Sequence, residues 1–160
     1  MRVRYRWLGL AIGVALADQG AKHWIAGTFP LGAGETVLPF FNLVHILNSG
    51  AAFSFLANAG GWQRYVFIAL ALVVSVGLTI ILLKGVANRW EGWGYSLLLG
   101  GAVGNLVDRL VRGAVVDYLD FHAGGWHWPA FNLADTALCL SAFILLLGTL
   151  LSSAQSKAPT

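Results

Sequence analysis

Charge is what this chain lacks most. Only 11% of its 160 residues are Asp, Glu, Lys or Arg, where a soluble domain carries about 25%. So few charges cannot cover a surface that meets water on every side. With 58% hydrophobic residues and a mean hydropathy of +0.71, the composition indicates a membrane protein. Cysteine is nearly absent. The single Cys139 excludes an intramolecular disulfide and any multi-cysteine metal site, and within its apolar run it reads as a small hydrophobe. No basic stripe with interleaved aromatics accompanies the net charge of +3, which argues against a nucleic-acid partner. There is no H-E-x-x-H, and Ser49, Ser54 and Ser96 lack a nucleophile-elbow context. His122 and His127 stand among tryptophans and read as interfacial residues rather than zinc ligands. No internal repeat of fixed period appears.

What is present is four long apolar segments, at about 7–27, 63–84, 91–112 and 130–151. A bilayer core of about 30 Å needs about 20 helical residues. The sequence therefore predicts an all-α polytopic membrane protein of four spans forming one domain over residues 1–160. Residues 28–62 are too polar to span. Their β-branched and aromatic residues lie between Gly and Pro turns, which predicts a small β-rich insertion on the membrane surface. Arg2, Arg4 and Arg6 precede the first span, Lys84 and Arg89 lie between the second and third, and Lys157 lies in the tail. Basic residues favour the cytoplasm, so both termini are expected inside and residues 28–62 in the periplasm. The first span imitates a cleavable signal peptide, with basic residues, an apolar run and "ALA" before Asp18. Charge bias alone does not decide whether it stays.

Five aspartates interrupt this chain, and three of them, Asp117, Asp120 and Asp135, fall within "VVDYLDFHAGGWHWPAFNLAD". At 1.5 Å per helical residue, Asp18, Asp108, Asp117 and Asp135 all fall in the outer half of the membrane or at its outer interface. A charge near the bilayer centre costs at least ~2.5 kcal/mol, so such acids are either paired or functional. Asp18 and Lys22 are i,i+4 and share a helix face. Asn105, Asp108 and Arg109 form a polar stripe, and Arg109 is expected to neutralise acids on neighbouring helices. Gly100 and Gly104 form a small-xxx-small pair that admits a second helix. Asp117, expected to close the third span, has Arg112 within reach; Asp120 and Asp135 have no basic residue near in sequence. A plain reading makes Asp135 part of a helix cap begun by Asn132. The functional reading pairs Asp117 with Asp135. Two carboxylates in one site cannot both ionise cheaply, so one takes a proton from water while the other donates to the substrate. That is peptide hydrolysis without a covalent intermediate. A proton- or ion-coupled transporter using Asp18, Asp108 and Asp135 is the alternative.

Five blocks in order, "DQGAK" at 18–22, "NSGAAFS" at 48–54, "GNLVDR" at 104–109, "VVDY" at 115–118 and "FNLAD" at 131–135, make nearly the whole chain resemble bacterial lipoprotein signal peptidase, or signal peptidase II. The commonest form of the fourth block ends in Phe where this chain has Tyr118. The resemblance implies an aspartyl endopeptidase of the inner membrane, multi-pass, with its active site at the periplasmic face and the first span retained. It puts the catalytic pair at Asp117 and Asp135. Asn48, Gly50, Asn105, Arg109 and Asn132 would hold substrate backbone, with Asp18, Lys22 and Asp108 supporting the site. Asp120 receives no role. No cofactor and no metal is implied. The implied substrate is a prolipoprotein cut just before a cysteine that already carries diacylglycerol, and the implied inhibitor is globomycin. Membrane phospholipid is the expected surround, and the expected state is a monomer.

Overall fold

The computed structural model describes residues 2–50 and 60–156. Positions 51–54 of the second block and Lys157 lie outside these. Helix α1 spans Arg2–Thr28, strands β1 and β2 span Gly34–Leu38 and Phe41–Asn48, and helices α2 and α3 span Gln63–Lys84 and Arg89–Val111. Strands β3 and β4 follow at Val115–Ala123 and Trp126–His127, then helix α4 at Leu133–Ser156. Helices α2 and α4 are long and apolar enough to cross a membrane.

Helix α3 is the hub, packed against α1, α2 and α4. Its glycines make this possible. Gly92 lies directly against the Trp7 indole, and Gly104 lies beside Asp18, so α1 and α3 run parallel. A Cβ on Gly100 would come within 2.7 Å of the Ala11 carbonyl oxygen, and one on Gly101 within 2.6 Å of the Ala134 carbonyl oxygen. Backbones at this separation leave room for no side chain between them. On the far side, Gly94 meets Leu145 and Gly148 of α4 meets Trp90, so α3 and α4 run antiparallel.

The distribution of polarity is reversed from that of a soluble protein. Asp18, Lys22, Asp108 and Asn132 are fully buried, while Ile12, Leu16, Val73, Val76, Phe143 and Leu146 are exposed. An apolar cluster of Trp7, Ala11, Leu78, Leu82 and Leu99 fills the bundle at the end where α1 and α3 begin. A second, of Ile25, Val116 and Tyr118, joins the other end to the sheet.

That sheet corrects the sequence-based expectation. The fold is not all-α with strands confined to 28–62. Four antiparallel strands run in the order β1-β2-β3-β4, drawn from both connecting segments. Asp117 does not close α3; it lies on β3, opposite Ile46. Helix α3 ends at Val111 and the chain turns through Gly113, whose φ of 83° suits a residue without a Cβ. β3 then pairs with β2, with an irregularity between Leu43 and Ile46. This pairing was hidden in the sequence because β2 and β3 are separated by two helices.

The glycine contacts generate a contrast. Gly101→Ala drives a methyl into backbone that cannot move aside, and should lower stability by about 1–3 kcal/mol. Gly20→Ala meets nothing within 4 Å and should be neutral or slightly stabilising, because alanine favours helix. Thermal unfolding of both variants in one detergent checks this.

Candidate active site

The carboxylates meet because the chain doubles back beside β3. After the β3–β4 hairpin, Phe131 pairs with Leu119 through Leu119 N–H to Phe131 O at 2.8 Å and Phe131 N–H to Leu119 O at 3.1 Å. This sets Asn132 and the start of α4 against Asp117. The Asn132 side-chain amide donates to Asp117 Oδ1 at 2.7 Å. Asn48, a diagonal neighbour of Asp117 across β2, donates to Asp117 Oδ2 at 3.0 Å.

Asp135 is held by the cap of its own helix. Asn132 Oδ1 accepts from Asp135 N–H at 2.9 Å, and Asp135 Oδ2 accepts from Asn132 N–H at 3.3 Å. This reciprocal arrangement is a capping box. The capping and functional readings of Asp135 are thus compatible: the cap occupies Oδ2, while Oδ1 accepts from Asn105 Nδ2 at 2.8 Å. The remaining free amides at the start of α4 are also satisfied. Leu133 N–H donates to the Tyr118 hydroxyl at 3.2 Å and Ala134 N–H to Asp18 Oδ1 at 2.9 Å.

Beneath the pair lies a buried ion cluster. Lys22 Nζ is 2.8 Å from Asp18 Oδ2 and 3.1 Å from Asp108 Oδ2, and donates to Asn105 Oδ1 at 2.8 Å. Asp108 Oδ2 also accepts from Val116 N–H on β3 at 3.0 Å. Gln19 Nε2 donates to the Gly104 carbonyl at 2.9 Å and to Asp108 Oδ1 at 3.1 Å.

Arg112 takes a different partner from the one within reach in sequence, and Arg109 faces the acids Asp135, Asp117 and Asp108 through space rather than by hydrogen bonds. Arg112 pairs with Asp108, one helical turn before it, rather than with Asp117. Arg109 hydrogen-bonds no carboxylate among the described residues. Its Nη2 donates to the Gly50 carbonyl at 2.8 Å and its Nη1 to the Asn105 carbonyl at 3.4 Å, with the guanidinium over the Phe67 ring. Gly50 is fixed in turn by its N–H to Asn48 Oδ1 at 2.9 Å. Gln19 and the Tyr118 hydroxyl carry no role in the sequence reading, and Arg112 enters it only as a partner for Asp117. Arg112 carried the same i,i+4 signal as Lys22, and Gln19 stood within a quoted block. The Tyr118 partner had no sequence signal.

Burial, then the neighbouring Asp135 charge, raises the Asp117 carboxyl to about 7 against the hydrogen bonds from Asn48 and Asn132. Burial pushes the Tyr118 phenol up to about 12, so its hydroxyl stays neutral. Asp120 does not join the site. It faces Asn42 and His127, whose side chains lie 2.8 Å and 2.9 Å from its oxygens. Burial pushes Asp120 up, but these partners outweigh it and hold the carboxyl below its usual range.

Asn48, Asn105, Arg109, Asp117 and Asp135 edge a cavity of about 660 Å³ between α2, α3 and α4. The rest of its wall is mainly apolar, with Phe67, Leu70 and Val74 on one side and Leu138 and Leu140 on the other. Trp128 and Phe131 close the sheet side. A chain lying here would have apolar walls along its length and polar groups only where the two carboxylates stand.

Lys22→Met should expose the importance of the cluster. It leaves Asp18 and Asp108 buried without their shared cation, a loss of about 3–5 kcal/mol. Thermal unfolding should show a large drop, partly recovered when Asp18→Asn is added to remove one of the stranded charges.

The chain also has clear relatives. The signal peptidase (SPase) II family model matches residues 10–151. The chain is 44% identical over 154 residues to a lipoprotein signal peptidase of Yersinia enterocolitica, covering 96% of this chain and 91% of the relative. It is 50% identical over 145 residues to one of Vibrio vulnificus, covering 89% and 86%. Two solved bacterial membrane enzymes superpose on it. One has a TM-score of 0.84 at 29% identity over 97% of this chain and 93% of the other. The second has a TM-score of 0.76 at 30% identity over 91% and 92%. By sequence along almost its entire length, this protein belongs to the signal peptidase II family.

Proposed function

We propose that this protein removes the signal peptide from diacylglyceryl-modified prolipoproteins, cutting just before the lipidated cysteine by water activation at Asp117 and Asp135. The observation that carries the reading is the convergence of two carboxylates, linked through Asn132, at the polar edge of an apolar cavity. Charge balance supports a single shared proton. Among the described residues, the four acids Asp18, Asp108, Asp117 and Asp135 are faced by three cations, Lys22, Arg109 and Arg112. One proton on the dyad brings the cluster to neutrality. The ionised carboxylate takes a proton from water as the water attacks the scissile carbonyl. The protonated one donates to the carbonyl oxygen; as the gem-diol collapses it takes that proton back, while the other carboxyl passes the proton gained from water to the leaving amine. Asn48 and Arg109 would hold the substrate backbone, and the apolar walls would receive the signal helix and lipid chains.

In this reading the protein crosses the bacterial inner membrane four times, with both termini cytoplasmic and the carboxylates at the periplasmic face. α1 and α3 are less apolar than α2 and α4, but their charges at Asp18, Lys22, Asp108 and Arg109 face inward and leave Ile12 and Leu16 outside. A proton relay across the membrane fits less well, because the opposite half of the bundle holds the apolar cluster around Trp7, Leu78, Leu82 and Leu99.

The direct test is release of a signal peptide from a purified, lipidated prolipoprotein. Asp117→Asn and Asp135→Asn should each lower kcat by at least about 10³-fold. Asp120→Asn, whose carboxylate binds Asn42 and His127 instead, should retain most activity. Globomycin should compete with substrate, whereas thiol alkylators and serine-directed phosphonates should not abolish turnover. Full activity in Asp117→Asn would sink the dyad.

The raised Asp117 carboxyl gives a pH dependence. Activity should fall as pH rises through about 7, where Asp117 loses its proton, and fall again in acid as the second carboxylate is protonated. Stability follows the same group. Between about 4 and about 7 the folded state binds the Asp117 proton and the unfolded state does not, so stability decreases as pH rises. Asp117→Asn should flatten that slope in thermal unfolding measured from pH 4 to pH 8.

A further inference from the structure

We infer that the end of the bundle opposite the carboxylates carries a binding site for the phosphate of an anionic phospholipid headgroup. A second cavity of about 370 Å³ lies between α1 and α3, lined by Arg6, Trp7, Leu10, Arg89 and Trp93. Two guanidiniums thus border one small space. Neither forms an ion pair among the described residues, and each lies over an indole, Arg6 over Trp7 at 4.5 Å and Arg89 over Trp90 at 5.0 Å. Trp7 and Trp93 meet edge to face at 5.7 Å. The Trp7 Nε1 hydrogen has no acceptor among the described residues although Trp7 is only 5% exposed. Gly92 makes room for that indole.

The surroundings favour an anion. α1 and α3 run parallel, so both present their positive dipole ends here. The acid in this region, Glu91, is engaged in its own cap: it accepts from Ala87 N–H at 2.9 Å, and its N–H donates to Asn88 Oδ1 at 3.0 Å. Lys84 adds an exposed cation at the end of α2. Basic pockets between membrane helices hold anionic headgroups through this combination of charge and shape. A lipid is favoured over a soluble phosphate because the cavity's wall includes the half-exposed Trp93 and the partly buried Leu10, apolar side chains beside which acyl chains would lie. The site is independent of the carboxylate pair and its chemistry.

The test uses the full-length protein, delipidated in detergent and examined by native mass spectrometry. It is titrated with phosphatidylglycerol, with phosphatidylcholine of the same acyl chains, and with inorganic phosphate. One phosphatidylglycerol should be retained with about a thirtyfold preference over phosphatidylcholine, as two basic residues near an anionic headgroup imply. R6Q/R89Q should lose that preference, and R6K/R89K should keep most of it. Equal retention of both lipids by the unmodified protein would overturn the site without recourse to any variant. So would an unchanged preference in R6Q/R89Q. Displacement of phosphatidylglycerol by millimolar inorganic phosphate would identify a soluble-anion site and overturn the lipid assignment.

Discussion

The arrangement depends on one buried ammonium group. Lys22 has no exposure, and its Nζ is enclosed by Asp18, Asp108 and Asn105. Each of these partners extends the network to another element. Asp18 accepts an amide at the start of α4, Asp108 accepts the Val116 amide of β3, and Asn105 donates to Asp135. α1, α3, α4 and β3 are therefore referred to a single cation. An isolated buried charge would be strongly unfavourable, so each ion is tolerable only with all its partners in place. The cluster thereby positions the two carboxylates.

Such a polar centre requires helices that approach closely, and glycine supplies the space. Gly100, Gly101 and Gly104 place α3 against the backbones of α1 and α4. At that distance Asp18 of α1 reaches Ala134 of α4 across α3 at 2.9 Å. α2 is excluded from the ion cluster and is apolar from Tyr65 to Leu83. Its separation from α4 leaves the cavity, whose mainly apolar wall suits a membrane-embedded chain more than a soluble one.

The sheet completes the site from the other direction. β3 carries Asp117, β2 brings Asn48 to it, and the return of the chain at Phe131 brings Asn132. Asn132 has two tasks that use different atoms. Its Oδ1 caps α4 and its Nδ2 holds Asp117. A structural cap and the candidate site thus share one residue. That sharing fixes the second carboxylate, because Asp135 sits at a set position in the capped turn.

Much of this could be read from the chain alone. Long apolar runs indicated the helices, and α2 and α4 pass on length and hydropathy. The Asp18–Lys22 spacing indicated an ion pair, and "FNLAD" indicated a capped helix start. All of these rest on interactions within about four residues, where backbone geometry leaves little choice. Other features needed the fold. Residues 115–123 form a strand because β2 offers its edge from across two intervening helices, and a pairing partner cannot be read from local pattern. Arg109 was expected to answer acids on neighbouring helices, yet its hydrogen bonds go to the carbonyls of Gly50 and Asn105. Arg112 chose Asp108 over Asp117, and Asp120 found Asn42 and His127. The sequence by itself determined which residues would be helical and that its scarce charges had to be paired or used. Only the tertiary structure decided which charge met which, because in a low-dielectric interior that choice is set by distance and direction between separate elements, and no local rule contains either.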